Sequence, residues 1–258
     1  MKAAARASGK DIGDYDGLHQ WSVEDREAFW SLVWDQCGVI GEKGGRVMVD
    51  GDRMPVAAFF PDAKLNFAEN LLRGKGSGDA IVFRGEDKVS RRLSWDDLHA
   101  LVSRMQQLFR AEGVKPGDRI AGMMPNMPET VAAMLAAASL GAIWSSCSPD
   151  FGVQGVLDRF GQIEPVLFFA PDGYWYAGKR IDVGEKVAAV MARMPSVRKA
   201  FIVDYLGVAG EVAMAAPRAE PLAVALSRFV PTEVTFERLP FSHPLYILYS
   251  SGTTGIPK

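Results

Sequence analysis

The sequence predicts an α/β fold, a layered parallel-sheet domain preceded by a helical and irregular amino-terminal extension. Three observations lead to it. From Asp79 onward, short apolar runs alternate with segments of helical period. Strands joined through helices favour parallel pairing, because a right-handed crossover is the usual return to the sheet. Residues 15–75 differ in texture, being rich in tryptophan, broken at Gly41–Gly45, and closed by Arg73-Gly-Lys-Gly-Ser-Gly78, the best linker candidate in the chain.

In the extension, Ser22 is placed to cap a helix whose first turn holds Glu24 and Asp25, with Phe29, Trp30, Val33 and Trp34 following at helical spacing. Trp21, Trp30 and Trp34 are expected to pack this helix onto the main domain. Leu65–Leu72 reads as a short amphipathic helix. Ala80–Arg84 and Lys88–Leu93 then form a hairpin about a Gly85-Glu-Asp turn. Ser94 caps a long helix with Asp97 as the second half of a capping box, and Gly113 stops it. Arg119–Met124 is a strand, Asn126 the cap of a helix with Pro128 and Glu129 in its first turn, and Gly141 its end. Ala142–Cys147, Val166–Ala170 and Ala200–Val203 are further strands, with helices over Val153–Ile163 and Val183–Met194. Residues 206–222, rich in Ala and Pro, read as an irregular excursion.

With 48% hydrophobic and 10% aromatic residues, the chain is globular and not disordered. Its 29 basic and 31 acidic residues leave a formal charge of −2, so no overall field draws it to nucleic acid or anionic lipid. Cys37 and Cys147 have no CxxC spacing, and the three histidines are scattered, which argues against a disulfide framework or a metal site and points to a reducing, cytoplasmic setting. Val131–Cys147 is the most apolar stretch, but Gly141 and small polar residues interrupt it, so it reads as helix then strand and not as a membrane span.

The chemistry concentrates at the end of the sequence. Leu245-Tyr-Ile-Leu-Tyr249 suits a buried strand, and Ser250-Ser-Gly-Thr-Thr-Gly-Ile-Pro-Lys258 follows it. Gly252 and Gly255 permit turns in which successive backbone N–H groups point at one anion. Ser250, Ser251, Thr253 and Thr254 add hydroxyl donors, and Lys258 adds a positive charge. These features favour a polyphosphate. The spacing is not that of a P-loop, because Lys258 follows a proline and Gly255 stands three residues before it.

The stretch Tyr249–Lys258 resembles the AMP-binding signature of the adenylate-forming enzymes. Pro125–Leu135 and Leu140–Trp144 resemble the acetyl-CoA synthetase branch, while His19-Gln-Trp21, Leu65–Leu72 and Trp144–Phe160 resemble the acetoacetyl-CoA synthetases in particular. The resemblance runs from about Tyr15 to Lys258, and it implies an acetyl-CoA-synthetase-like extension over 15–75 and an AMP-binding domain over 76–258, incomplete and ending at the phosphate loop. It further implies an acid–thiol ligase using ATP, Mg2+, CoA and acetoacetate or a similar short acid. Ser250, Ser251, Gly252, Thr253, Thr254 and Gly255 would hold the ATP phosphates and Lys258 would stabilise the reacting charge. Lys179 and Arg180, on a loop after Tyr174-Trp-Tyr-Ala-Gly178, would contact CoA phosphate, although Tyr176 stands where that branch commonly carries an arginine.

The acyl pocket, the adenine and ribose contacts and the carboxy-terminal domain would lie beyond Lys258. The 258 residues alone are therefore expected to be inactive without the missing carboxy-terminal part of the same enzyme, with residues 250–258 mobile for want of a following helix. The alternatives are another short-chain acyl-CoA synthetase and a non-catalytic nucleotide-binding module. Asp150-Phe-Gly152 spells the kinase magnesium triplet but lacks a kinase's other motifs, so Asp150 is expected to turn the chain, and His99 is expected to be structural.

Overall fold

The computed structural model describes residues 1–250. Its contacts divide the chain into two units, Met1–Asn66 with Arg238–His243, and Phe67–Glu237 with the residues from Pro244 onward.

The first unit opens with helices α1 (Lys2–Ser8), α2 (Tyr15–Glu24) and α3 (Arg26–Gln36). Ser22 does not cap. It lies inside α2 and donates its hydroxyl hydrogen to the His19 carbonyl at 2.7 Å, whereas Asp14 caps α2 through Gly17 N–H and Asp25 caps α3 through Ala28 N–H. Aspartate competes well for these orphan amides, and the helix predicted as one starts twice. Trp21 is buried with Ala4 and Ile12, and Trp34 with Phe60 and Ala63, so both serve cores within this unit. Short strands complete it: β1 (Gly41–Glu42), β2 (Met48–Val49), β3 (Ala58–Phe59) and β4 (Lys64–Leu65). Strand β4 pairs with β1 and with Leu239–Pro240, and β2 with β3.

The second unit begins with α4 (Phe67–Leu71), shorter than its predicted span. A hairpin follows, β5 (Asp79–Gly85) against β6 (Val89–Ser94). Ser94 and Asp97 then make both halves of the capping box that starts α5 (Trp95–Ala111). The sheet strands and helices alternate as β7 (Arg119–Met123), α6 (Pro128–Ser139), β8 (Ile143–Cys147), α7 (Val153–Phe160) and β9 (Leu167–Pro171). A second hairpin, β10 (Gly173–Tyr176) and β11 (Lys179–Asp182), precedes α8 (Gly184–Ala192) and β12 (Lys199–Val203).

Residues 206–222 are not irregular. They hold α9 (Ala209–Ala215), β13 (Ala219–Pro221) and the start of α10 (Leu222–Ser227). Alanine is the best helix former, and Pro221 is tolerated because β13 is the edge strand.

The five strands lie in the order β13-β12-β9-β7-β8, and every pair is parallel. Their near-continuous apolar sequences follow from burial on both faces. Leu167 and Phe169 point into one layer with α5 and α6, while Phe168 and Ala170 point into the other with α7 and α8. Among the described residues no helix is long and apolar enough to cross a membrane.

Candidate functional site

Renumbered within the sheet, the strand order is 2-1-3-4-5. Ligands of such doubly wound folds sit outside the carboxyl ends of the strands. The segment Leu245–Tyr249 reaches that edge. It runs parallel to β8 through a bridge between Trp144 and Tyr246, with Trp144 N–H donating to Leu245 O at 3.1 Å and Ile247 N–H to Trp144 O at 3.0 Å. Ser145 Oγ adds a bond to Ile247 O at 2.9 Å. The direction is the expected one, but a buried strand is not formed. Leu248 is 77% exposed and Tyr246 40%, because β8 flanks the segment on one side and, among the described residues, no strand pairs with the other. The Tyr249 hydroxyl bonds the Arg159 carbonyl at 2.8 Å, fixing the end of the segment against α7. Ser250 therefore leaves at the carboxyl edge of the sheet. Ser251, Gly252, Thr253, Thr254, Gly255 and Lys258 lie outside the described residues, as does the expected mobility of that stretch beyond Ser250.

Beside this edge is a cleft of about 380 Å³, lined by Met124, Pro125, Asn126, Thr130, Ser146, Cys147 and Ser148. Asn126 lines it and does not cap α6. The cap position is Met127, with no side-chain bond, and Thr130 instead donates to the Pro125 carbonyl at 2.8 Å. Pro128 lowers the need for a cap by removing one orphan N–H. Glu129 in the first turn is held by Arg91 at 2.6 Å.

The loop that continues from Ser148 at the cleft is held by side-chain bonds. Tyr174 donates to Asp150 Oδ1 at 2.5 Å, Ser148 Oγ to Asp150 Oδ2 at 2.8 Å, and Lys186 Nζ to Pro149 O at 2.5 Å. The bonds from Tyr174 and Ser148 hold the Asp150 carboxyl below the usual carboxylate range. Burial, reinforced by Asp150, pushes the Tyr174 hydroxyl up to about 12. Burial likewise pushes the Cys147 thiol up to about 12 despite nearby Arg159 and Lys186, so it is no nucleophile at neutral pH. Asp150 thus turns the chain, as its sequence context suggested. His99, expected to be structural, bonds the Gly74 carbonyl at 2.9 Å.

Lys179 and Arg180 are exposed on strand β11 and not on a loop. Tyr176 pairs with Lys179 and Trp175 with Arg180 across the hairpin. Neighbouring residues of a strand face opposite ways, so the two cations emerge on different sides. Sequence reasoning missed what holds this hairpin. Asp172, fully buried at its root, accepts N–H bonds from Tyr205 and Leu206 on Oδ1 and from Val208 on Oδ2, at 2.8–2.9 Å. Burial outweighs these amides and raises the Asp172 carboxyl, with Asp204 adding to the rise. An aspartate two residues after a predicted apolar strand was the only signal for it.

A doubly wound parallel sheet whose carboxyl edge receives a further parallel segment is an architecture common among nucleotide-binding α/β proteins. The chain belongs to the AMP-binding enzyme family, whose model matches residues 72–258, and the acetyl-coenzyme A synthetase N-terminus model matches residues 15–71. It is similar to the acetoacetyl-coenzyme A synthetase of Rhizobium meliloti (strain 1021), 62% identical over 97% of this chain and 38% of the relative. The acetoacetyl-CoA synthetase of Danio rerio is 39% identical over 98% of this chain and 39% of its own length. The solved acetoacetyl-CoA synthetase from Streptomyces lividans superposes with a TM-score of 0.89 at 37% identity, covering 99% of this chain and 40% of that one. The chain therefore spans about two fifths of the length of the relatives it matches.

Proposed function

We propose that this chain supplies the nucleotide-phosphate edge of an acetoacetate–CoA ligase. The observation that carries the reading is the parallel pairing of Leu245–Tyr249 with β8, which delivers Ser250 to the carboxyl edge beside the cleft. From there Ser250, Ser251, Gly252, Thr253, Thr254 and Gly255 offer amides and hydroxyls to the β- and γ-phosphates of ATP, and Lys258 offsets charge as the reaction proceeds. The acid's carboxylate oxygen attacks the α-phosphorus, the bond to the bridging oxygen breaks, and pyrophosphate leaves. The CoA sulfur then attacks the acyl carbon of the mixed anhydride, releasing AMP as the thioester forms. Lys179 and Arg180 are the candidates for CoA phosphate contacts. Magnesium would enter with the ATP phosphates as part of the nucleotide substrate. The proposed setting is the reducing cytoplasm.

A second acid is favoured by one relative, a malonamoyl-CoA synthetase of Penicillium aethiopicum, 38% identical over 97% of this chain. Malonamate replaces the terminal methyl of acetoacetate with an amino group of similar size, so the two acids share one shape. The test joins residues 1–258 to the remaining length of the Rhizobium meliloti relative and measures pyrophosphate release with a panel of short acids. Acetoacetate is expected to turn over fastest, and Lys258→Ala to slow adenylation at least tenfold while leaving acid binding nearly unchanged. Equal loss in both would remove Lys258 from the chemistry, and no acid-dependent release from the joined chain would refute the function.

A further inference from the structure

We propose that Glu86 is the positioning residue of the basic β10–β11 hairpin, clasping its tip so that the strand carrying Lys179 and Arg180 is held where one or the other cation meets a CoA phosphate. This rests on the CoA reading above. A two-stranded ribbon is marginal alone and needs support beyond its own ladder. The root of this one is secured by Asp172 and by close packing, since a side chain at Gly173 would overlap Leu206. The tip is a two-residue turn in which Ala177 and Gly178 both have positive φ, 49° and 73°, the arrangement that matches strand twist. Both turn amides point at one carboxylate. Ala177 N–H donates to Glu86 Oε1 at 2.6 Å and Gly178 N–H to Oε2 at 2.8 Å.

The support is itself anchored. Glu86 lies in the β5–β6 turn, where Gly85 packs so closely on Tyr205 that a Cβ would overlap its hydroxyl, and the Phe83 and Tyr205 rings lie 6.0 Å apart. Tyr205 belongs to the loop that Asp172 holds through its amides. Root and tip are thus tied to the same loop, and the chain of contacts closes on itself. Lys88 adds its ammonium 5.8 Å from the Trp175 ring. Lys179 directly follows the clasped amides, so fixing residues 177–178 fixes where both cations begin.

The two ways Glu86 could act have opposite signs. As a bare negative charge near two cations it would weaken anion binding, and removing it would tighten CoA. As a clasp with both oxygens engaged by amides, its removal loosens CoA. In the joined ligase described above, Glu86→Ala is expected to raise the KM for CoA about fivefold while acid-dependent ATP–pyrophosphate exchange without CoA stays within about twofold. Glu86→Gln, which keeps one acceptor and loses the charge, is expected to fall between. In the 258-residue chain, hydrogen exchange at Ala177 and Gly178 is expected to quicken in Glu86→Ala. An unchanged or lower KM for CoA, exchange and thioester formation falling together, or no quickening at those amides would each overturn the clasp. Lys179→Ala and Arg180→Ala separate the two layers. If neither raises the KM for CoA, the CoA reading of the hairpin fails and the clasp with it. If either does while Glu86→Ala does not, the clasp alone fails.

Discussion

Replacing Asp172 by alanine tests whether buried carboxylates hold this edge of the sheet together. The side chain is fully buried, and its two oxygens accept from Tyr205, Leu206 and Val208. Alanine would orphan three amides, each costing about 1–3 kcal/mol if left dry. The loop can relax and admit water where the carboxylate stood, so the low end applies, about 3 kcal/mol in all. That is a large share of the roughly 5–15 kcal/mol expected for a folded chain. At roughly 2–4 °C per kcal/mol for a chain of this size, melting should fall by about 6–12 °C. Asp172→Asn should lose less, keeping an oxygen for Tyr205 and Leu206 while turning an amide against Val208 N–H. Circular dichroism melts of the alanine and asparagine variants decide the matter. An alanine variant melting within about 2 °C of the parent would mean that solvent replaces the carboxylate without cost, and the account of the loop would be wrong.

Two further outcomes follow from the titrating groups. Because the Tyr174 hydroxyl is held up to about 12, its contribution is complete below the ordinary tyrosine value near 10 and is lost as pH rises through about 12. Phenolate absorbance should show Tyr174→Phe removing a late-titrating tyrosine, and removal of one titrating near 10 would refute the Asp150 bond. The thiols should separate as well: iodoacetamide at pH 8, read by mass spectrometry, should label exposed Cys37 and leave buried Cys147 unmodified, and equal labelling would place Cys147 outside the core.

The sheet was legible because its signals are local. The capping box at Ser94 and Asp97 and the apolar runs at 119–124, 166–170 and 200–203 each depend on neighbours in sequence. Caps were less so, because Ser22, Asp14, Asp25 and Asn126 all carry capping side chains and only the fold chooses among them. The Ser250–Lys258 stretch suggests chemistry through its small residues, hydroxyls and cation, but beyond Ser250 it lies outside the described residues. What supports the site was not legible. Glu86 meets Ala177, and Asp172 meets Val208, across 91 and 36 residues of sequence, and no periodicity reports such meetings.

Those supports commit the carboxylates described around this edge to structural bonds. Asp150 has both oxygens occupied by Tyr174 and Ser148, Asp172 is filled by three amides, Glu86 by two, and Glu129 by Arg91. A carboxylate whose lone pairs are taken up by fixed donors has none free to aim at a substrate proton. Adenylation does not ask for a catalytic base. A short acid arrives already ionised at neutral pH, its own oxygen is the nucleophile, and the leaving pyrophosphate needs charge stabilisation and alignment. On the proposed reading, an edge whose described acids are committed to holding loops, in a sequence that continues into hydroxyl residues, glycines and one lysine, suits such a reaction.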